Sequence, residues 1–590
     1  MEAKGRAASK QNGRGAAEGA REETTEANVR RYLSSLRAVA AAGALVGMVL
    51  GALGWSQAWP QLSLAAAARA TVIAWAIGLA ASPLLHKILR RRTTDPVAGA
   101  DPVAAGRAWA RAVRVAVTVV AVAPAVLVLT LLQPQGLLRR AVAPVRRPGD
   151  ERPNLILITI DALRTDYVGA YGSQDGLTPH MDAFAQEATR YDAAYVSSPW
   201  TLTSFASIMS SRPPSQCGLK LTTPRMHNWY LYSAKLPESV PLISEQLQRA
   251  GYTTAAELTN CFLTDERGWH RGFSYFRNED GPGLGAILTR ADTVTRNTLA
   301  WLRLRPRQPF FLWVHYLDPH VPYNSPETPP ELRAQYPGDW LTRREYWYAT
   351  MRYQDEATKV RYGEFCRKMY AEEVRYTDRW LGELLRAIRE VGEWDRSLIV
   401  ISSDHGEELF DHGEFEHGHS MHEELLRVPL LVKWPRGVAA ESRIQQVVSM
   451  TGLPMTFAEL AGAPQLEGAV GQPLPRQSGE GGEEVYSEGV LHGPEQTALT
   501  TDRYKAIHRP ATQLAGDTYL LYDRSSDRQE RAALASSEPA SALRERLLSQ
   551  EKAAQAAARK WKVSNQQEFR GIDLSHATRE KLKALGYIGD

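Results

Sequence analysis

Along this 590-residue chain the spacing of apolar residues changes character twice. Residues 1–30 are Gly, Ala, Glu, Lys and Arg with almost no large apolar side chain, a composition too poor in core material to fold, so this stretch is expected to be disordered. Three apolar runs follow, near 38–55 (AVAAAGALVGMVLGALGW), 65–85 (AAAARATVIAWAIGLAASPLL) and 115–132 (VAVTVVAVAPAVLVLTLL). Each is long enough to cross a hydrocarbon core of about 30 Å, and none has the polar face that a helix on a soluble core keeps. Three transmembrane helices are therefore predicted within 31–138, with a linker at 139–152.

The basic residues orient these spans, because they are retained on the cytoplasmic side. Arg30, Arg31 and Arg37 precede the first run, and HKILRRR with Arg107, Arg111 and Arg114 separates the second from the third. That places the N-terminus inside and everything after the third span outside, in a multi-pass protein of the inner, cytoplasmic membrane. Arg69 lies near the start of the second run, where it can snorkel to an interface, and Arg139, Arg140, Arg146 and Arg147 weigh the other way.

From Asn154 the pattern becomes that of an α/β domain. NLILITIDALR is an unbroken apolar run of strand length, as suits a strand buried on both faces of a parallel sheet, and it ends at Asp161. SLIVISSDHGEE repeats the design and ends at Asp404 and His405; PFFLWVHYLDPHVPY does so again with His315, Asp318 and His320. Helical patterns such as EEVRYTDRWLGELLRAIREVG lie between, so strands alternate with helices. In such sheets ligands bind where strands end. A single Asp after a strand is commonly a turn former, but three strands delivering Asp and His to one edge point to a metal. Carboxylates with an imidazole suit Mn²⁺, Mg²⁺, Ca²⁺ or Zn²⁺ and do not choose among them.

The totals narrow the partners. A formal charge of +4 with 44% hydrophobic residues gives no sign of nucleic-acid binding. Cys217, Cys261 and Cys366 are too few and too scattered for a disulfide framework or a thiolate zinc site, although one pair could bridge. The hydroxyl-rich stretch SSPWTLTSFASIMSS, residues 197–211, runs into an apolar helical pattern. Ser and Thr at such a place usually cap the helix, and Thr203 and Ser204 are read as caps.

Several blocks in order carry a resemblance: PNLILITIDALRTDYVGAYG, TPHMDAFAQEATRYDAAYVSSPWT, FLWVHYLDPHVPY, VISSDHGEELFDHGEFEHGHSMHEELLRVPLLVKWP and the tail DRYKAIHR to YLLYDRSSDRQE. From about Pro153 onward the chain resembles the sulfatase family of the alkaline-phosphatase superfamily. The resemblance implies a mixed α/β sheet flanked by helices, a catalytic domain over 153–482 and a smaller C-terminal subdomain with a tail over 483–590. It places the metal ligands at Asp161, Asp404 and His405, and the nucleophile, also a metal ligand, at Thr201. A substrate-contacting histidine falls on His320, with His315 and His417 as further catalytic candidates. A helix beginning near Thr203 would point its N–H groups at the incoming anion.

Most members place Cys or Ser where Thr201 stands, within Cys-x-Pro-x-Arg, and oxidise it to formylglycine. Here the sequence is Thr201-Leu202-Thr203-Ser204-Phe205, and the family's usual Asp-Asp is Asp161-Ala162. A threonine Cβ bears a methyl group and yields a ketone rather than an aldehyde, so no formylglycine is expected. The remaining set is similar to the single-metal, threonine-nucleophile site of lipoteichoic acid synthases and phosphoethanolamine transferases. Three readings follow: hydrolysis or transfer of phosphate mono- or diester groups through Thr201; cleavage of sulfate esters without formylglycine; or a silent fold that binds an anionic lipid or glycan. Both enzyme readings require one divalent metal and an anionic ester, possibly carried on a lipid or glycan.

Overall fold

The apolar runs that end in Asp and His form the middle of a sheet. The computed structural model describes residues 149–564 apart from 220–233, 279–289, 305, 307, 336–349, 480–483, 513–514 and 535–537. The main sheet comprises β1 (Asn154–Ile160), β2 (Thr189–Tyr195), β3 (Thr253–Leu258), β4 (Tyr275–Asn278), β5 (Phe310–Tyr316) and β6 (Ser397–Ser403). After the two-residue strands β7 (Glu408–Leu409) and β8 (Phe415–Glu416), which pair only with each other, β9 (Arg427–Lys433) and β10 (Arg443–Ser449) complete it. The order is β10-β2-β9-β6-β1-β5-β3-β4. Only β9 runs against its neighbours, so the sheet is mixed, as a sulfatase-like fold requires.

β1, β5 and β6 are adjacent and parallel, and their side chains alternate between the two faces. Ile156, Ile158, Leu312, Val314, Ile399 and Ile401 enter one core. Leu155, Leu157, Phe311, Trp313, Leu398 and Val400 enter the other. The same parity carries Thr159 and His315 to the second face, where they are register partners. Ile160 pairs with Ser403, so Asp161 and Asp404 emerge side by side one step beyond the strand ends.

Helices cover both faces. The face bearing Thr159 and His315 packs against α1 (Thr201–Ser210), whose Leu202, Phe205 and Ile208 join that core. The other receives α2 (Ala291–Arg303) and the long α3 (Glu356–Glu390), capped by Asp355 accepting from the Thr358 N–H. Beyond the main sheet, β11 (Val485–Ser487), β12 (Thr497–Thr500), β13 (Tyr504–Arg509) and β14 (Thr518–Asp523) form an antiparallel sheet in that order. Leu543 and Leu547 of α4 (Glu538–Ser564) pack on its Leu499, Ala506 and Leu521.

The predicted spans near 38–55, 65–85 and 115–132 and the N-terminal stretch lie outside the described residues. Among the described residues no helix is long and apolar enough to cross a membrane. The cysteine pairing left open by the sequence does not form: none of the three cysteines is in a disulfide, and all three are buried.

A cluster of histidines and carboxylates joins the segment after β6 to the C-terminal sheet. His412 Nδ1 lies 2.7 Å from Glu424 and its Nε2 donates to the Glu530 carbonyl, while His422 stacks on His412 and bonds Glu530. Burial disfavours the His412 cation, but Glu424 outweighs it, and the pKa is pushed up to about 9. Because the folded pKa exceeds the unfolded one, this stabilisation is complete below about pH 6.5 and is lost as pH rises through about 9. We expect His412→Gln to lower the urea midpoint at pH 6.5 by the equivalent of about 1–2 kcal/mol, discounted for partial exposure. The difference from wild type should vanish near pH 10; a pH-independent difference would remove the charge from the explanation.

Candidate active site

All seven residues singled out from the sequence meet at the carboxyl ends of β1, β5 and β6, and all are buried. Asp161 and Asp404 arrive from neighbouring strands, and His405 follows Asp404. Ala162 takes a left-handed conformation (φ 57°), which turns the chain so that its N–H faces Asp404 Oδ1 at 3.4 Å. His405 Nδ1 lies 2.8 Å from the Gly406 carbonyl and donates to it, which leaves a lone pair on Nε2. That Nε2 stands 3.5 Å from Asp161 Oδ1, 3.5 Å from Asp404 Oδ2 and 3.2 Å from Thr201 Oγ1.

Thr201 is the first residue of α1, two positions before the start expected from the sequence, with Trp200 as its N-cap. Its hydroxyl therefore sits at the positive end of a ten-residue helix whose first N–H groups have no acceptor within the helix. Thr203 and Ser204 are not caps, because no side chain caps this helix. Ser204 Oγ instead donates to the Asp404 carbonyl, tying the helix to the end of β6, and Thr203 Oγ1 bonds Ser198. Trp200 Nε1 donates to the Gly489 carbonyl at 2.9 Å, so the chain just after β11 also holds the entry to α1.

The histidines form two groups. His315 stands beside Asp161, Nε2 to Oδ2 at 3.3 Å. His320 and His417 face each other with ring centroids 4.8 Å apart, and His417 lies 4.3 Å from the His405 ring. His320 Nδ1 lies 2.7 Å from the Val321 carbonyl. Burial lowers the pKa of His320, His405 and His417, the last of them well below the ordinary value with the neighbouring His405 and His320 adding to the effect.

Two residues of the site were not picked out from the sequence. Asn260, two positions past β3, donates from Nδ2 to Asp161 Oδ2 at 2.7 Å. Glu407 bonds His417 Nδ1 at 2.9 Å and accepts from the Tyr323 hydroxyl at 3.1 Å. A sequence cue existed for Glu407 alone, which lies in the DHGEE run that supplies Asp404 and His405.

The donor set suits a divalent cation. One ligand atom each from Asp161, Asp404 and His405 lie within 4.8 Å of one another. Asp161 Oδ1 and Asp404 Oδ2 are buried without hydrogen-bond partners, a costly state for carboxylate oxygens unless a cation meets them. Burial and the charge of Asp161 push Asp404 well above the carboxylate range. Burial also opposes ionisation of Asp161, but His320, His315 and His405 outweigh it and hold that pKa low. One charged and one protonated member is the outcome for two buried carboxylates sharing a site, and a divalent ion would let both ionise.

Comparison with known proteins agrees with this geometry. The sulfatase family model matches residues 153–463, and a model of the C-terminal part of N-sulphoglucosamine sulphohydrolase matches residues 410–557. A Delta 4,5-hexuronate-2-O-sulfatase of Bacteroides thetaiotaomicron is 24% identical over 422 residues, covering 65% of this chain and 85% of that protein. A protein solved with its substrate D-glucosamine-2-N,6-O-disulfate superposes with a TM-score of 0.55 at 17% identity, over 69% of this chain and 98% of that one. The phosphonate monoester hydrolase of Agrobacterium radiobacter gives 0.52 at 18% identity, over 69% and 96%.

Proposed function

Because this chain belongs to the sulfatase family, whose members bind a divalent metal and act on anionic esters, we propose that it cleaves or transfers phosphate mono- or diester groups through Thr201. The observation that carries the reading is the 3.2 Å approach of Thr201 Oγ1 to His405 Nε2, at the head of a helix and beside two unpartnered carboxylate oxygens. Asp161, Asp404 and His405 would hold the metal with Thr201 against it. A divalent cation there supplies Lewis-acid charge that favours ionisation of the Thr201 hydroxyl.

The chain's own groups account for the rest. The first-turn amides of α1 draw the anion onto Thr201. Thr201 Oγ forms a bond to phosphorus as the bond to the leaving oxygen breaks, and that oxygen takes up a proton. His320 and His417, whose rings face each other, are candidates to hydrogen-bond the non-bridging oxygens or pass that proton. Water or an alcohol then takes the group from Thr201 and returns the hydroxyl proton, so hydrolysis and transfer differ only in the acceptor. The predicted N-terminal spans support an enzyme anchored in the membrane with its catalytic domain outside.

Sulfate-ester cleavage is the second reading, favoured by the sulfated substrates that the relatives are named for. Threonine disfavours it, since a sulfated Thr201 lacks the second hydroxyl through which formylglycine expels sulfate. Turnover of nitrophenyl phosphate, a nitrophenyl phosphodiester and nitrophenyl sulfate, each with Mn²⁺, Mg²⁺, Ca²⁺ or Zn²⁺, decides between them. Metal-dependent cleavage of a phosphate ester is expected; cleavage of the sulfate alone would replace the first reading with the second.

A further inference from the structure

We infer that His315 is a positioning residue for the metal carboxylate Asp161, set in place by a hydrogen-bond chain through Trp313 and Thr159, and that it does not touch substrate. The inference rests on the metal site proposed above. Trp313 Nε1, which can only donate, gives its hydrogen to Thr159 Oγ1 at 3.0 Å. Thr159 has one hydroxyl proton and two acceptors in reach, His315 Nδ1 at 2.9 Å and the Val314 carbonyl at 3.3 Å. The hydroxyl hydrogen goes to Nδ1 when the ring's own hydrogen is on Nε2, the state that the neighbouring Asp161 carboxylate favours.

His315 Nδ1 is then an acceptor, and the ring's own hydrogen must sit on Nε2, 3.3 Å from Asp161 Oδ2 and without another hydrogen-bond partner. The opposite tautomer would turn a lone pair onto the buried carboxylate, so the contact with Asp161 selects this ring state. Asp161 Oδ2 is thus addressed by His315 and by Asn260, while Oδ1 has no partner and faces His405. Such outer-sphere groups orient a ligating carboxylate and set its basicity.

Aromatic side chains pack against this ring. His315 is fully buried, the edge of Phe205 meets it at 4.9 Å between centroids, and Trp313 stands at 6.4 Å. His320 and His417 form a pair of their own, with ring centroids 4.8 Å apart, and His417 lies 4.3 Å from the His405 ring. Thr159, Trp313 and His315 all point to the α1 face by strand parity, so the chain of bonds is built into two adjacent strands.

The test is a calorimetric titration of the purified full chain with Mn²⁺ and with Zn²⁺, alongside KM and kcat for nitrophenyl phosphate at saturating cation. Thr159→Val, which keeps the shape and removes the hydroxyl, and His315→Ala should each weaken cation binding by about 10–100-fold. KM at saturating cation should stay within about twofold, and Thr159→Ser, which restores the hydroxyl, should return the cation affinity to that of wild type. A raised KM in His315→Ala with unchanged cation affinity would make His315 a substrate contact and overturn the inference. Equal cation affinity in wild type and Thr159→Val would also overturn it while leaving the proposed function intact. A wild-type chain that binds neither cation overturns both. The Thr159 pair decides the matter if His315→Ala fails to fold.

Discussion

Thr201→Ala is expected to lower kcat by at least about 10³-fold with nitrophenyl phosphate, the scale on which enzymes lose rate when a nucleophile is removed, with a loss of cation affinity smaller than that expected for a carboxylate ligand. Thr201 Oγ1 is buried at the first position of α1, 3.2 Å from His405 Nε2, and no neighbouring hydroxyl can stand in for it. Ser204 Oγ is committed to the Asp404 carbonyl, and Thr203 Oγ1 is bonded to Ser198 Oγ on the approach to the helix. Thr201→Ser should retain activity within about tenfold, because it keeps the hydroxyl on the same helix position and removes only a methyl group. Steady-state kinetics with both variants checks this, and an active Thr201→Ala enzyme would move the nucleophile to water.

Asp404→Asn should have effects of opposite sign with and without cation. With cation, affinity should fall by more than the 10–100-fold typical of an outer-sphere change, because a charged ligand is lost, and turnover should fall with it. In chelated samples near pH 7 the variant should melt above wild type. Asp404 and Asp161 are fully buried side by side, and burial together with the Asp161 charge raises the Asp404 pKa well above its ordinary value. A raised carboxyl pKa destabilises the fold increasingly as pH climbs above the unfolded value of about 4. Chelated wild type should therefore lose stability across that climb, and Asn, with no charge to bury, should not. Calorimetric melts at pH 4.5 and 7.5, with and without cation, provide the check. A variant destabilised equally in all four conditions would mean that Asp404 holds structure alone.

The centre of the fold was legible because its three strands are apolar on both faces and end in groups that packing does not explain. Strand parity together with the order and register of the three strands in the structure puts Thr159 and His315 on one face and Asp161 beside Asp404. The direction of β9 was not legible, since its apolar run VPLLV, flanked by a basic residue at each end, reads alike in either orientation. Asn260 was missed because an amide just past a strand reads as a turn former, and its contact with Asp161 joins residues 99 apart in sequence. The capping roles given to Thr203 and Ser204 failed for a related reason. A local rule predicts a local partner, and the Ser204 hydroxyl found the Asp404 carbonyl 200 residues away.

The claim that most of this rests on is a covalent group on Thr201. Acid-quenched enzyme mixed with excess nitrophenyl phosphodiester and Mn²⁺ can be digested and its peptides weighed, beside Thr201→Ser and a chelated control. The expected result is a phosphate-bearing adduct on the peptide containing Thr201, present only with cation and carried by the serine variant as well. Rapid turnover with that peptide unmodified at every quench time would contradict the threonine mechanism.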